Sequence, residues 1–293
     1  MKKGKFLNCL LIGLLLLPFG NTEILATKKA TKSKKNSVKT TSVKKKTSVK
    51  ISFVNANSAI LINANTGKIL FERNAYQQMQ PASTTKVITA LLALENSSMA
   101  KTVTISTEAA SREGSSMHLA SSERRSMEEL VYGLMLVSGN DAATAIAKNI
   151  AGTEEKFACM MTAKARLLGL KNSQFKNASG LPAKGHYSTA YDMAMITKYA
   201  LKNKIFAKIA STKSKAIPNH ISGEVRYLRN HNKLLWRYPY TTGIKTGYTV
   251  SAGGCLIASA HKKNTTLIAV VFKTHTIYDD CQNLFEYGFG RIQ

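Results

Sequence analysis

The chain is poor in several things that would settle a fold or a chemistry at once. In 293 residues it has one tryptophan, five prolines, four cysteines and 16 acidic residues, against 42 lysines and arginines. Cys9 lies in the N-terminal apolar segment. Cys159, Cys255 and Cys281 then form an odd set among apolar neighbours, which predicts small core residues rather than a staple. No CxxC or HExxH spacing occurs and the six histidines are scattered singly, so zinc hydrolysis has no support. No metal or cofactor is expected. The longest apolar stretch, Phe6 to Phe19, is short of the ~20 residues a membrane-spanning helix needs.

What is present divides unevenly along the chain. An apolar content of 44% is enough for a real core. The net charge of +26 is concentrated near the start, where residues 28–50 hold ten lysines and no acid. After Lys50 there remain 29 basic and 15 acidic residues, a milder balance. Lys2, Lys3 and Lys5 before the apolar stretch make residues 1–26 an export signal or N-terminal anchor. Residues 27–50, with TSVK twice, cannot bury enough to offset the entropy of ordering, which predicts a flexible tether. That tether is either a solvated linker or an adhesive for anionic wall polymer or lipid headgroups.

A single α+β domain is expected over 51–293. Strands are predicted at Ala59–Asn63 and Lys68–Phe71 around an Asn65-Thr66-Gly67 turn. A helix should begin near Ser83 and bury the stripe Val87, Ala90, Leu91 and Leu94. Ser126 and Glu129 form a capping box for a helix ending at Val137, and another resumes at Asp141. Further helices fit Glu154–Leu168, closed by Gly169, and Ala190–Leu201. From Glu224 the period changes to short strands, followed by a closing helix from about Asp280 to Tyr287. Strands at both ends of a helical block predict one sheet assembled from both ends of the chain.

Three short stretches carry chemistry. Ser83 and Lys86, three apart at a helix start, share a face, so the amine can reach the hydroxyl. A lysine held among apolar groups and other cations loses its proton more readily than one in water. Ser138-Gly139-Asn140, in an interhelical break, offers a hydroxyl to relay a proton and an amide to hold a peptide. Lys245-Thr246-Gly247, on a strand edge, offers a cation and a hydroxyl to a carboxylate. That lysine is expected to be exposed and to matter little for folding, with Gly247 letting an extended substrate lie close. Each stretch alone is also explained by capping, a break or a solvated edge.

Together, PASTTK, SGN and KTG resemble the S-x-x-K, S-x-N and K-T-G elements of the penicillin-binding protein and serine β-lactamase superfamily. NTGKILFERNAYQQMQPASTTKVITALLALE, GLMLVSGNDAATAIA, NASGLPAKGHYSTAYDMAMI and HNKLLWRYPYTTGIKTGYT are similar to one branch, the exported serine-type D-alanyl-D-alanine carboxypeptidases of low molecular mass. The resemblance implies an antiparallel sheet packed against a helical block, and an acyl-enzyme at Ser83 with Lys86 as general base. It implies that Ser138 passes the proton to the leaving amine, Asn140 binds the substrate amide, and Lys245 and Thr246 receive the terminal carboxylate. The backbone N–H groups of Ser83 and Tyr248 would form the oxyanion hole. Peptidoglycan stem peptides are then the substrates and β-lactams the covalent inhibitors, with no nucleic-acid partner.

The pattern departs in places. Thr242 stands where the branch has Asp before the Gly of its third element, and Asn65 where its first hairpin has Asp. Phe272-Lys273-Thr274-His275 replaces a small-residue turn, which bears on acceptor preference. Many members continue into a β-rich domain and an amphipathic helix, so attachment is expected through the N-terminus. Two rivals are weighed: a β-lactamase, for which 166–192 offers only Asp192 as a deacylating carboxylate, and a non-catalytic wall-binding protein, which would be expected to lose Ser83 or Lys86.

Overall fold

A computed structural model describes residues 53–218 and 225–292. The expected export segment (1–26) and lysine-rich tether (27–50) lie outside the described residues. The central sheet is antiparallel, with order β2-β1-β9-β8-β7. Its strands are β1 Ser58–Asn63, β2 Ile69–Arg73, β7 Thr241–Thr249, β8 Gly253–Lys262 and β9 Thr265–Thr274. First and last parts of the chain meet where β1 pairs with β9, Ile60 opposite Val270.

The apolar runs of β8 and β9 follow from their central position. In β9, Ile268, Val270 and Phe272 join the larger core, while Leu267, Ala269 and Val271 join a second core on the opposite face. Period-2 alternation with both faces covered turns the strand into a continuous hydrophobic run. The second face is covered mainly by helix α9 Ile277–Phe289, through Cys281, Leu284 and Phe285, with Leu234 and Tyr238 joining the same core. Its buried Asp280 accepts from Asn55 N at 2.9 Å and Thr274 Oγ1 at 2.7 Å, which fastens the helix to the end of β9.

The helical block covers the other face. It comprises α1 Lys86–Asn96, α2 Thr107–Ala110, α3 Met127–Leu136, α4 Asn140–Ala151, α5 Glu154–Leu167, α6 Ala190–Ala200 and α7 Lys204–Ser211. Two small ladders accompany it, β3 Thr102–Thr104 with β4 Arg124–Ser126, and β5 Ser214–Pro218 with β6 Val225–Arg229. A one-turn helix, α8 Leu234–Arg237, leads into β7.

Several expectations change. Ser83 precedes the α-helix, in a 3-10 turn spanning Ala82–Thr85. Helix α1 is buried from Lys86 to Ala93 on every side, not along one stripe, because the sheet and the other helices enclose it. Leu94 is only half-buried. The Ser126–Glu129 capping box is formed, and Thr189 Oγ1 accepts from Asp192 N at the start of α6. Cys159 is exposed rather than a core residue, since it falls on the solvent side of α5. The C-terminal strands β7, β8 and β9 run nine and ten residues rather than short.

Candidate active site

Three elements bring the singled-out residues together: the 3-10 turn leading into α1, the α3–α4 junction, and strand β7. Lys86 opens α1 and is fully buried. Its Nζ lies 2.9 Å from Ser83 Oγ, 2.8 Å from Asn140 Oδ1 and 2.6 Å from the Ser179 carbonyl oxygen. The Asn140 amide is oriented by its other end, where Nδ2 donates to Glu113 O at 2.7 Å. Both ends of that side chain are therefore engaged within the protein.

Burial lowers the Lys86 pKa well below the usual lysine range, and the like charge of Lys245 lowers it further. Asp141 and Glu154 oppose the shift with smaller effects. In the neutral amine, two N–H groups serve the Asn140 and Ser179 oxygens, which can only accept. The lone pair is then left toward the Ser83 hydroxyl, which donates to it.

Two close approaches need glycine. A Cβ on Gly180, whose φ is +83°, would lie 1.9 Å from the Ala82 carbonyl oxygen. Any side chain there would displace the turn carrying Ser83. At Gly247 a Cβ would lie 2.9 Å from Ser83 N and 3.1 Å from Thr84 N. The glycine thus lets β7 pass against the turn that carries Ser83, where the sequence suggested room for a substrate. Ala82, just before Ser83, holds φ of +46°, and Ser138 holds +62°, conformations disfavoured for residues with a Cβ.

Lys245 corrects the expectation of an exposed edge lysine. Strand β7 is at the sheet's edge, but its side chains still alternate between faces. Lys245 shares the face of Gly247, which looks at the Ser83 turn. Lys245 is 1% exposed, donates to Thr246 O at 3.0 Å, and burial brings its pKa down to about 7. Thr246 is half-buried beside it, and the Tyr248 ring on the same strand is 71% exposed. Ser138 is buried at the α3–α4 junction.

Other groups fix this arrangement without appearing in the three stretches. The buried Asp141 carboxylate accepts from Ser116 Oγ and from the N–H groups of Met117 and Leu119, holding the 111–120 loop over the start of α4. Glu154 Oε1 accepts from Ala178 N at 3.1 Å, and its other oxygen pairs with Arg112. Thr89 Oγ1 donates to Ala178 O at 2.7 Å, so the loop that supplies the Ser179 carbonyl is gripped from both sides. His186 Nδ1 accepts from Lys176 N, which leaves Nε2–H to donate to Thr85 Oγ1 at 3.0 Å. Burial, aided by Lys176, lowers the His186 pKa to about 4, so this brace stays neutral at ordinary pH. Asp192 is spent on Asn172 N and Ser173 Oγ at the start of α6. Among the described residues, no cluster of three or more His, Cys, Asp or Glu is placed to hold a metal.

Residues 39–276 match the model of the peptidase S11 family, the D-alanyl-D-alanine carboxypeptidases. The chain belongs to this family. It is 42% identical over 226 residues to D-alanyl-D-alanine carboxypeptidase DacF of Bacillus subtilis, covering 75% of this chain and 58% of that protein. With DacC of Escherichia coli it shares 36% identity over 251 residues, 80% of this chain and 62% of that one. The chain thus spans about three-fifths of the length of these curated relatives. The crystal structure of the Streptomyces K15 DD-transpeptidase superposes with a TM-score of 0.76 at 30% identity, over 81% of this chain and 98% of that one. The fold is therefore that of the penicillin-binding DD-peptidases, α+β with an antiparallel sheet against a helical block.

Within this family fold, the Ser179 carbonyl, Glu154 and His186 were missed by reasoning from the sequence. A backbone carbonyl has no side-chain signature, and Glu154 reads as an ordinary first-turn acid of α5. Gly180, in the quoted NASG, was the available signal of a close backbone approach.

Proposed function

We propose that the chain is a serine-type D-alanyl-D-alanine carboxypeptidase, removing the terminal D-alanine of peptidoglycan stem pentapeptides. The observation that carries this reading is the buried Lys86 amine, whose two neutral N–H groups have fixed acceptors and whose third direction is Ser83 Oγ. Ser83 Oγ attacks the carbonyl carbon between the two D-alanines while its proton passes to Lys86 Nζ. The carbonyl oxygen gains negative charge, received by the backbone N–H groups of Ser83 and Tyr248. The C–N bond then breaks, and Ser138 relays a proton to the departing D-alanine amine. Water cleaves the Ser83 ester and restores the hydroxyl.

Asn140 would hold the substrate amide as well as Lys86, and Lys245 with Thr246 the terminal carboxylate. β-Lactams would acylate the same serine. No alternative reading is favoured by a specific observation: Asp192, the sole acid in 166–192, is already hydrogen-bonded away. Intact-mass analysis of a pentapeptide ending in D-Ala-D-Ala, after incubation with the enzyme, should show loss of one D-alanine. An unchanged peptide would refute the activity.

Glu154 gives a pH test of the same chemistry. Its carboxylate favours the ammonium form of Lys86, so Glu154→Gln should lower the amine's pKa. Gln can still accept from Ala178 N. The rising limb of the acylation rate against pH should therefore move to lower pH. A limb that stays in place would show that Glu154 acts only through the loop.

The proposal includes export by residues 1–26 and retention at the wall or membrane by residues 27–50. Exposed lysines each contribute weakly to such an attraction, and their sum is strongly salt-dependent. Deleting 28–50 should leave turnover of a small soluble pentapeptide unchanged and reduce sedimentation with isolated cell walls, as salt should for the full chain. Equal sedimentation at low salt would make the segment a linker only.

A further inference from the structure

Beside the site lies a groove of about 840 Å³ between β6 and α8. One of its walls is Val137, the residue before Ser138, and His231 N donates to Leu136 O at 2.9 Å. His231 is also close enough to Lys245 for that charge to lower its pKa, after desolvation. The groove's lining therefore runs directly into Ser138 at the α3–α4 junction.

Its chemistry is one-sided. Arg229, Lys233 and Arg237 line it, and no carboxylate does among the described residues. Arg237 pairs with Asp279 at 3.0 Å, but neither Arg229 nor Lys233 makes an ion pair among the described residues. Alternation along β6 puts Val225, Tyr227 and Arg229 on one exposed face, with Tyr227 79% exposed. The Arg229 guanidinium lies over the Trp236 ring, 5.3 Å from its centroid. Stacking holds the guanidinium plane without using its donors, so the fork remains available for a carboxylate.

We propose that this groove receives a carboxylate carried by the peptide substrate outside its D-Ala-D-Ala end, bound by Arg229 and Lys233. Tyr227 and Trp236 supply apolar surface for the arm that bears it. The inference rests on the carboxypeptidase reading above and adds a second anion to the substrate. The terminal carboxylate goes to Lys245; the second one selects among peptides that share that end.

The test uses two acyl-X-D-Ala-D-Ala peptides of equal length, one with a side chain at X ending in a carboxylate, the other in the corresponding amide. The unsubstituted enzyme should show a KM about five- to tenfold lower for the carboxylate peptide. Combining Arg229→Gln with Lys233→Gln should erase that difference. It should leave kcat on the amide peptide and the rate of penicillin acylation unchanged. Equal KM values for the two peptides in the starting enzyme, or equal losses on both in the variant, would overturn the proposal. So would inhibition by inorganic polyphosphate that the variant abolishes, if the enzyme does not discriminate between the peptides. The groove would then be a site for an anionic polymer. Penicillin acylation without hydrolysis of either peptide would overturn the carboxypeptidase reading itself, and this inference with it.

Discussion

Lys86→Arg is expected to slow covalent penicillin attachment by about 10²- to 10⁴-fold, the range a positioned general base supplies. Arginine keeps the cation but stays protonated at any working pH, so it has no lone pair to offer Ser83. The substitution also puts a permanent charge and extra volume where Lys86 is fully buried, so a lower melting temperature is expected too. Lys86→Gln separates the two effects, being close in volume and uncharged. It should be as inactive as Lys86→Arg, and more stable. Near-normal adduct formation by either variant would remove Lys86 from the role of base.

Lys245→Met should split catalysis from stability. On a peptide with a free terminal carboxylate, kcat/KM should fall about 100-fold or more, as expected when one partner of a desolvated, hydrogen-bonded charge pair is lost. On the same peptide with a C-terminal amide the loss should be small. Each rate is taken at its pH plateau, because removing a like charge raises the Lys86 pKa and moves the acylation limb to higher pH. Stability should move the other way. Between pH 7 and 10.5 the folded chain holds Lys245 neutral while the unfolded chain holds it charged. Stability of the unsubstituted protein therefore rises with pH through that window, and the cost of burying the amine is fully present below about pH 7. Met removes that cost, so melting temperature should rise near pH 7 by the equivalent of a few kcal/mol at most, and the slope with pH should flatten. Equal losses on acid and amide peptides would take the carboxylate contact away from Lys245.

How much of this can be read from the sequence depends on whether the cause is local. The three-residue spacing of Ser83 and Lys86 is local, and so is the Ser126–Glu129 box. The meeting of both chain ends in one sheet is not local, yet it is legible, because apolar strands at 59–62 and 256–272 have no other partner of that kind to cover them. Lys245 shows where such reasoning stops. Edge position in the sheet is visible in the pattern, but the face toward which its side chain points depends on the Ser83 turn, about 160 residues away. Gly247 is the same case, its missing Cβ explained by Ser83 N rather than by a substrate. The helix α7 and strand β5 were not anticipated at all. The β5 residues Ser214–Ala216 are exposed, and only Ile217 is buried, so this edge ladder leaves too faint an apolar period to detect.

The position of the penicilloyl group decides whether Ser83 is the nucleophile. After incubation with penicillin and digestion with trypsin, mass spectrometry should find a single modified site, Ser83, and none in Ser83→Ala. A label on Ser138 or elsewhere, or a Ser83→Ala protein labelled as readily as the parent, would contradict the account.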